Sequence, residues 1–305
     1  MAAVRFEEDL KIKLAKTRMP ITVSQYLRRL RVLNDGETLK SMKFLMDFPA
    51  ISKKIDDLPG AVATKTSYLT SICAVLSLFP KYSKLHRQYV EKTMGLNKTL
   101  NDALDSNLKN EKQEESIVPM QEIIKARDAE KAKASKSWES QLAYLLLSLY
   151  TMIQPRRNKD YSEMFFVLDE PATMDNTKNY YVMSTDEFIF NNYKTAKAHG
   201  QQRAKVSKEL AAVIESYIER YMNVITMDAK AEEHPLLVLA NGKRINPTNG
   251  ITRILNKALG KNIGSSALRH IFLSNKYGSI LKEQKVDAEM MGHSLAVQKD
   301  YTKTD

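Results

Sequence analysis

Apolar residues in the first hundred positions recur at helical spacing. In ITVSQYLRRLRVL, residues 21–33, Val23, Tyr26, Leu27 and Leu30 fall at i, i+3, i+4 and i+7, which predicts an amphipathic helix with Arg28, Arg29 and Arg31 around its other faces. In ATKTSYLTSICAVLSLFP, Leu69, Ile72, Leu76 and Phe79 form a second stripe that Pro80 stops, with Lys65 near its start. The pattern then breaks: NDALDSNLKNEKQEES, residues 101–116, is polar and charged with almost no large apolar group. This predicts a helical domain over 1–105, a polar linker over 106–118 and a second domain over 119–305.

The second domain opens with a charged helix over 119–134. A strongly apolar one follows, in which Trp138, Leu142, Leu145, Leu149 and Ile153 share a face. Short β-like runs come next, MFFVL at 164–168, YYVM at 180–183, EFIFNNY at 187–193 and RAKVS at 203–207, as a small antiparallel sheet would require. Helical spacing returns in KELAAVIESYIERYM and in NPTNGITRILNKALG, where Pro247 is placed to open a helix and Gly260 to close it. The expected fold class is mainly α with a small antiparallel β-sheet, an α+β arrangement.

Composition adds a partner class. The 305 residues, 43% of them hydrophobic, suffice for proper cores. A net charge of +11 points to an anionic partner, and it is unevenly spread: residues 1–100 hold 18 Lys and Arg against 9 Asp and Glu, and the rest hold 29 against 27. Arg28, Arg29, Arg31 and Lys65 lie in that basic third. Phosphate backbones are gripped by many weak charge contacts of this kind, although a solvated helix face accounts for any single one of these residues.

The lone cysteine, Cys73, excludes an internal disulfide, and with five scattered histidines it leaves no Cys/His cluster at zinc spacing, so no metal is expected. No signal-peptide pattern opens the chain and no apolar run reaches the length of a membrane span, which predicts an intracellular protein. A Gly-rich phosphate loop and the carboxylate cluster of a two-metal nuclease are also missing as motifs, so no cofactor is expected.

Four segments, in order, carry a family resemblance. IQPRRNKDYSEM, YKTAKAHG, SALRHIFLS and MGHS with the tyrosine that follows, Tyr301, resemble the boxes of the tyrosine recombinases, the phage-type integrases. The resemblance covers residues 115–305 and extends more weakly to a helical, DNA-clamping domain in residues 1–100. PRRNKDY and SALRH look closer to integrases of eukaryotic large DNA viruses, virophages and related mobile elements than to the bacterial type.

The resemblance implies a division of labour that phosphoryl-transfer chemistry explains. Tyr301 would be the nucleophile, since a phenol can form a phosphoester and later leave when a DNA hydroxyl attacks. Arg157, three residues before Asp160, and Arg269 in SALRH would hold the non-bridging oxygens, whose geometry a guanidinium fork matches. Arg156 competes with Arg157 for the first of these places. Lys194 in YKT would protonate the leaving 5′-hydroxyl, with Lys197 as its neighbouring competitor, and His293 would donate a hydrogen bond to the scissile phosphate.

Two departures from the family pattern stand out. Where most members have a histidine three residues before the second arginine, this chain has Ser266, a poor proton acceptor; the neighbouring His270 is not that position and reads as structural. The sequence also stops four residues after Tyr301, where many members continue into a segment that docks on a neighbouring subunit. The family implies double-stranded DNA as partner and a homotetramer on paired sites, with monomers in solution compatible with it. A type IB topoisomerase, or a DNA-binding relative without catalysis, are the alternatives.

Overall fold

Two apolar clusters organise the chain, and the computed structural model describes residues 2–105, 117–224 and 233–301. The chain divides into two compact units, Met1–Leu108 and Lys109–Asp305. The expected linker, 106–118, lies outside the described residues as far as residue 116.

Unit 1 is helical: α1 (Ala2–Ala15), α2 (Pro20–Leu33), α3 (Phe48–Asp56), α4 (Val62–Leu76) and α5 (Ser83–Asp105). Pro20 suits the first turn of α2 because the N–H it lacks would have no partner inside the helix. Val23, Tyr26, Leu27, Leu30 and Leu33 of α2 are buried with Leu69, Ile72, Val75 and Leu76 of α4. Each large side chain taken fully from water contributes roughly 1.5–3 kcal/mol. α4 ends at Leu76, so Phe79 packs on the cluster from beyond the helix, and Pro80 opens a short 3-10 turn.

In unit 2 the sequence builds α6 (Met120–Ala134), α7 (Trp138–Thr151), α8 (Asn158–Ser162), α9 (Ala196–His199), α10 (Lys208–Val224), α11 (Gly250–Leu259), α12 (Ser265–Met290) and α13 (Leu295–Tyr301). Ser137 caps α7 by accepting from the Ser140 N–H at 3.2 Å, and the helix that follows is buried almost all round, as its composition requires. α6, α10 and α11 pack against it. α11 starts at Gly250, three residues later than Pro247 suggests, because residues 247–249 form a turn first; Gly260 closes the helix at φ 62°.

Five strands form one sheet in the order β4-β3-β2-β1-β5: β1 (Met164–Val167), β2 (Asn179–Val182), β3 (Glu187–Phe190), β4 (Gln202–Lys205) and β5 (His234–Pro235). The expectation of an antiparallel sheet is corrected here, since β1 and β2 run parallel and the sheet is mixed. The long connection between Val167 and Asn179 carries the chain back to the starting edge, which a tight hairpin cannot do. Phe188 and Phe190 face the helical core, while Ile189 between them joins Val167, Tyr180 and Val182 on the other face. Among the described residues no helix is long and apolar enough to cross a membrane.

Candidate active site

The turn after α7 holds the two adjacent arginines in different environments. Asp160, in α8, is 1% exposed and accepts from Arg156 Nε at 3.2 Å, while Arg156 Nη1 donates to Gln202 Oε1 at 2.6 Å. The Arg156 guanidinium also lies over the rings of Phe190, at 4.1 Å, and Tyr193, at 4.7 Å. Burial pushes the Asp160 carboxyl above its usual range, although Arg156 acts against it.

Arg157 is the N-cap of α8 with extended backbone angles (φ −72°, ψ 152°) and is half-buried. Its carbonyl accepts from the Asp160 N–H at 2.9 Å, but among the described residues no acceptor or carboxylate pairs with its guanidinium. Arg156 is therefore committed within the protein, and Arg157 is available to an anion.

Asn158 fixes the turn on its other side. Tyr150 donates its hydroxyl to Asn158 Oδ1 at 2.6 Å, and Asn158 Nδ2 donates to Thr252 Oγ1, in α11, at 2.8 Å. Burial raises the Tyr150 phenol well above its ordinary pKa, with Tyr161 and Asp160 adding to the rise; the charge of Arg269 and a hydrogen bond with Ser265 oppose it. Tyr150 thus lies within electrostatic reach of the first turns of α12 and bonds directly to the residue after Arg157. Neither Tyr150 nor Asn158 stands out in the sequence as a site residue. The available signal was a tyrosine on a wholly buried helix, whose hydroxyl must find a partner.

Arg269 is half-buried in the second turn of α12, between buried Leu268 and Ile271, and has no partner among the described residues. Ser266 and His270 are both exposed. Lys194 is exposed in the β3–β4 connection, after Tyr193, whose hydroxyl donates to the Gly200 carbonyl at 2.7 Å. Lys197 is exposed on α9, so both lysines remain available on the same hairpin.

His293 and Tyr301 come together, but at the opposite end of α12 from Arg269. Gly292, at φ 72°, donates to Glu289 O at 3.1 Å and His293 N–H to Ala288 O at 3.0 Å, so the Gly-His of MGHS closes α12 as a Schellman cap. Ser294 then starts α13, and the His293 and Tyr301 rings lie 5.5 Å apart with Tyr301 69% exposed. His293 Nε2 is buried without a partner among the described residues. α12 is one helix of 26 residues, so at 1.5 Å per residue its far end stands about 30 Å along the axis from Arg269. From Leu273 to Asp287 every residue except Gly278 is exposed, Leu273, Tyr277, Ile280 and Leu281 included.

In unit 1 the four basic residues differ in freedom. Arg31 pairs with Glu7, which is 6% exposed and also accepts from the Leu39 N–H at 3.2 Å. Arg29 Nη1 donates to Ser71 Oγ at 3.3 Å, and the Lys65 ammonium donates to the Asp56 carbonyl at the end of α3. Arg28 is exposed and has no partner among the described residues.

No family model and no curated protein matches the chain. Among solved structures, the crystal structure of XerA recombinase is similar at 19% identity, with 92% of this chain and 94% of that chain covered, at a TM-score of 0.35. A likeness this loose carries neither fold nor activity across, and the functional reading rests on the residues themselves.

Proposed function

We propose that this chain is a tyrosine recombinase, a site-specific DNA integrase that cuts and rejoins strands through a 3′-phosphotyrosyl bond. The observation that carries the reading is the Tyr150 node: of two half-buried guanidiniums without a partner among the described residues, Arg157 adjoins Asn158, which Tyr150 bonds directly, and Arg269 lies on α12, which packs against the helix that carries Tyr150. Preorganised cations of this kind stabilise the charge of a phosphoryl transition state. The order of the boxes adds the remaining groups.

In the reaction, Tyr301 Oη forms a bond to phosphorus as the P–O5′ bond breaks. The Lys194 ammonium gives a proton to the departing O5′, the phenol proton passes to solvent, and His293 donates to a non-bridging oxygen. The phosphotyrosyl bond keeps the energy of the cut strand for rejoining. DNA is held in part by the basic face of unit 1, where Arg28 is exposed and without a partner among the described residues.

The continuous α12 holds Tyr301 away from Arg269 of its own chain, so cleavage that uses both groups of one chain requires α12 to bend when DNA is bound. Gly278 is the place for this bend, because glycine weakens a helix interior by roughly 0.5–1 kcal/mol relative to alanine. Bending there would also cover Leu273, Tyr277, Ile280 and Leu281, which the straight helix leaves in water. Strand exchange between two marked duplexes, each carrying a site that the protein binds, tests the function. Recombinant product is expected; relaxation of supercoiled DNA without exchange would indicate a topoisomerase, and site binding without either would indicate a non-catalytic relative.

A further inference from the structure

Arg156 is held by four groups, one in α8 and three in the β3–β4 hairpin: Asp160 in α8 at 3.2 Å, Gln202 in β4 at 2.6 Å, Phe190 in β3 at 4.1 Å and Tyr193 in the hairpin connection at 4.7 Å. Its backbone N–H also donates to the buried Tyr161 hydroxyl at 3.3 Å. A guanidinium suits such a place because its planar face stacks on rings while its edge donates several bonds at once. The next residue in the chain is Arg157, and the residue after Tyr193 is Lys194.

We propose that Arg156 is a positioning residue that ties the Arg157 turn to the β3–β4 hairpin, so that the cation meeting the phosphate and the lysine protonating the leaving oxygen keep a fixed separation. This rests on the DNA-cleavage reading above. Arg156 itself has no freedom to meet DNA, being spent on a buried carboxylate, an amide and two rings. Asp160, at 1% exposure, has its charge compensated by Arg156, so the bond between them also holds α8 in place.

The role makes a chemical prediction that a purely structural role does not. If Arg156 acts by placing Lys194, its loss should matter only when the leaving group needs a proton. A duplex with sulfur in place of the scissile 5′-bridging oxygen supplies a thiolate, which leaves unprotonated. A cavity of about 310 Å³ beside the guanidinium, lined by Arg156, Phe188, Phe190 and Gln202 among others, gives substituted side chains room.

The experiment measures single-turnover formation of the DNA adduct on both substrates. It compares wild type, Arg156→Lys, the neutralised pair Arg156→Met with Asp160→Asn, and Lys194→Ala as reference; thermal melting confirms folding, and the Lys variant covers the case in which the pair fails to fold. The expected result is at least about a tenfold slowing of the pair on ordinary DNA, a smaller slowing for Arg156→Lys, unchanged DNA affinity, and recovery to within a few-fold of wild type on the sulfur substrate. An equal defect on both substrates, or none on either, overturns the proposal. Wild-type protein that forms no adduct on either substrate overturns the cleavage reading itself, and this role with it.

Discussion

Tyr150 donates its hydroxyl hydrogen to Asn158 at 2.6 Å, and through that bond the buried end of α7 sets the position of the turn that carries Arg157. Replacing Tyr150 by Phe removes one buried hydrogen bond and leaves Asn158 Oδ1 short of a donor. The expected cost is about 1 kcal/mol in thermal unfolding, together with slower DNA cleavage at unchanged DNA affinity. Cleavage at the wild-type rate in a destabilised Tyr150→Phe protein would separate the node from the chemistry.

Arg157 and Arg156 should behave in opposite ways on truncation. With no partner among the described residues, Arg157 contributes little to folding, so Arg157→Ala should melt within about 0.5 kcal/mol of wild type while losing roughly 10²–10³-fold in cleavage rate. Arg156→Ala strands the buried Asp160 carboxylate and should cost stability first. Paired melting curves and single-turnover rates check this, and a stable, inactive Arg156→Ala beside an active Arg157→Ala would reverse the assignment.

Acid should loosen the first unit through Glu7. Burial pushes this carboxyl up, but the Arg31 guanidinium and the Leu39 N–H outweigh it and hold its pKa below the ordinary 4.5. A depressed folded-state pKa means a stabilising contribution that is complete above about pH 4.5 and is lost as pH falls through the lower folded value. The protection of the Leu39 amide, its exchange rate relative to the intrinsic rate at the same pH, should therefore fall on acidification, and Glu7→Gln should lower it at neutral pH as well. A Leu39 exchange rate that does not respond to Glu7→Gln would show the pair to be inert.

The bend in α12 is open to a direct test. Gly278→Ala favours the straight helix by roughly 0.5–1 kcal/mol, so cleavage should slow several-fold with DNA binding intact. Mixing Tyr301→Phe with Arg269→Ala should give no adduct, because in the bent form each chain uses its own arginine. Adduct restored by mixing would mean that Tyr301 serves a second copy and that the bend is not needed.

Much of the frame is legible in the sequence because α2, α4 and α7 each bury a stripe at helical spacing, which a line of residues records faithfully. The parallel pairing of β1 with β2 is not legible, since it depends on where the connection between Val167 and Asn179 returns, and β5 is too short to stand out. The sequence resemblance alone cannot separate Arg156 from Arg157: the difference lies in contacts with Gln202, Phe190 and Tyr193, more than thirty positions away. MGHS reads from sequence as a site motif, and in the structure it is first of all a helix cap, with Gly292 supplying the positive φ and His293 the second capping N–H. The length of α12 is the least legible feature, because a single glycine at position 278 is compatible with either a continuous or a bent helix.

The central claim is that Tyr301 attacks DNA, and covalent capture tests it most directly. Protein is incubated with nicked suicide duplexes bearing a site that it binds, denatured in detergent, digested, and the nucleotide-bearing peptide is sequenced by mass spectrometry. The account predicts a 3′-phosphate ester on Tyr301 that Tyr301→Phe lacks. An adduct on another residue, or none on an authentic site from wild-type protein, would contradict it.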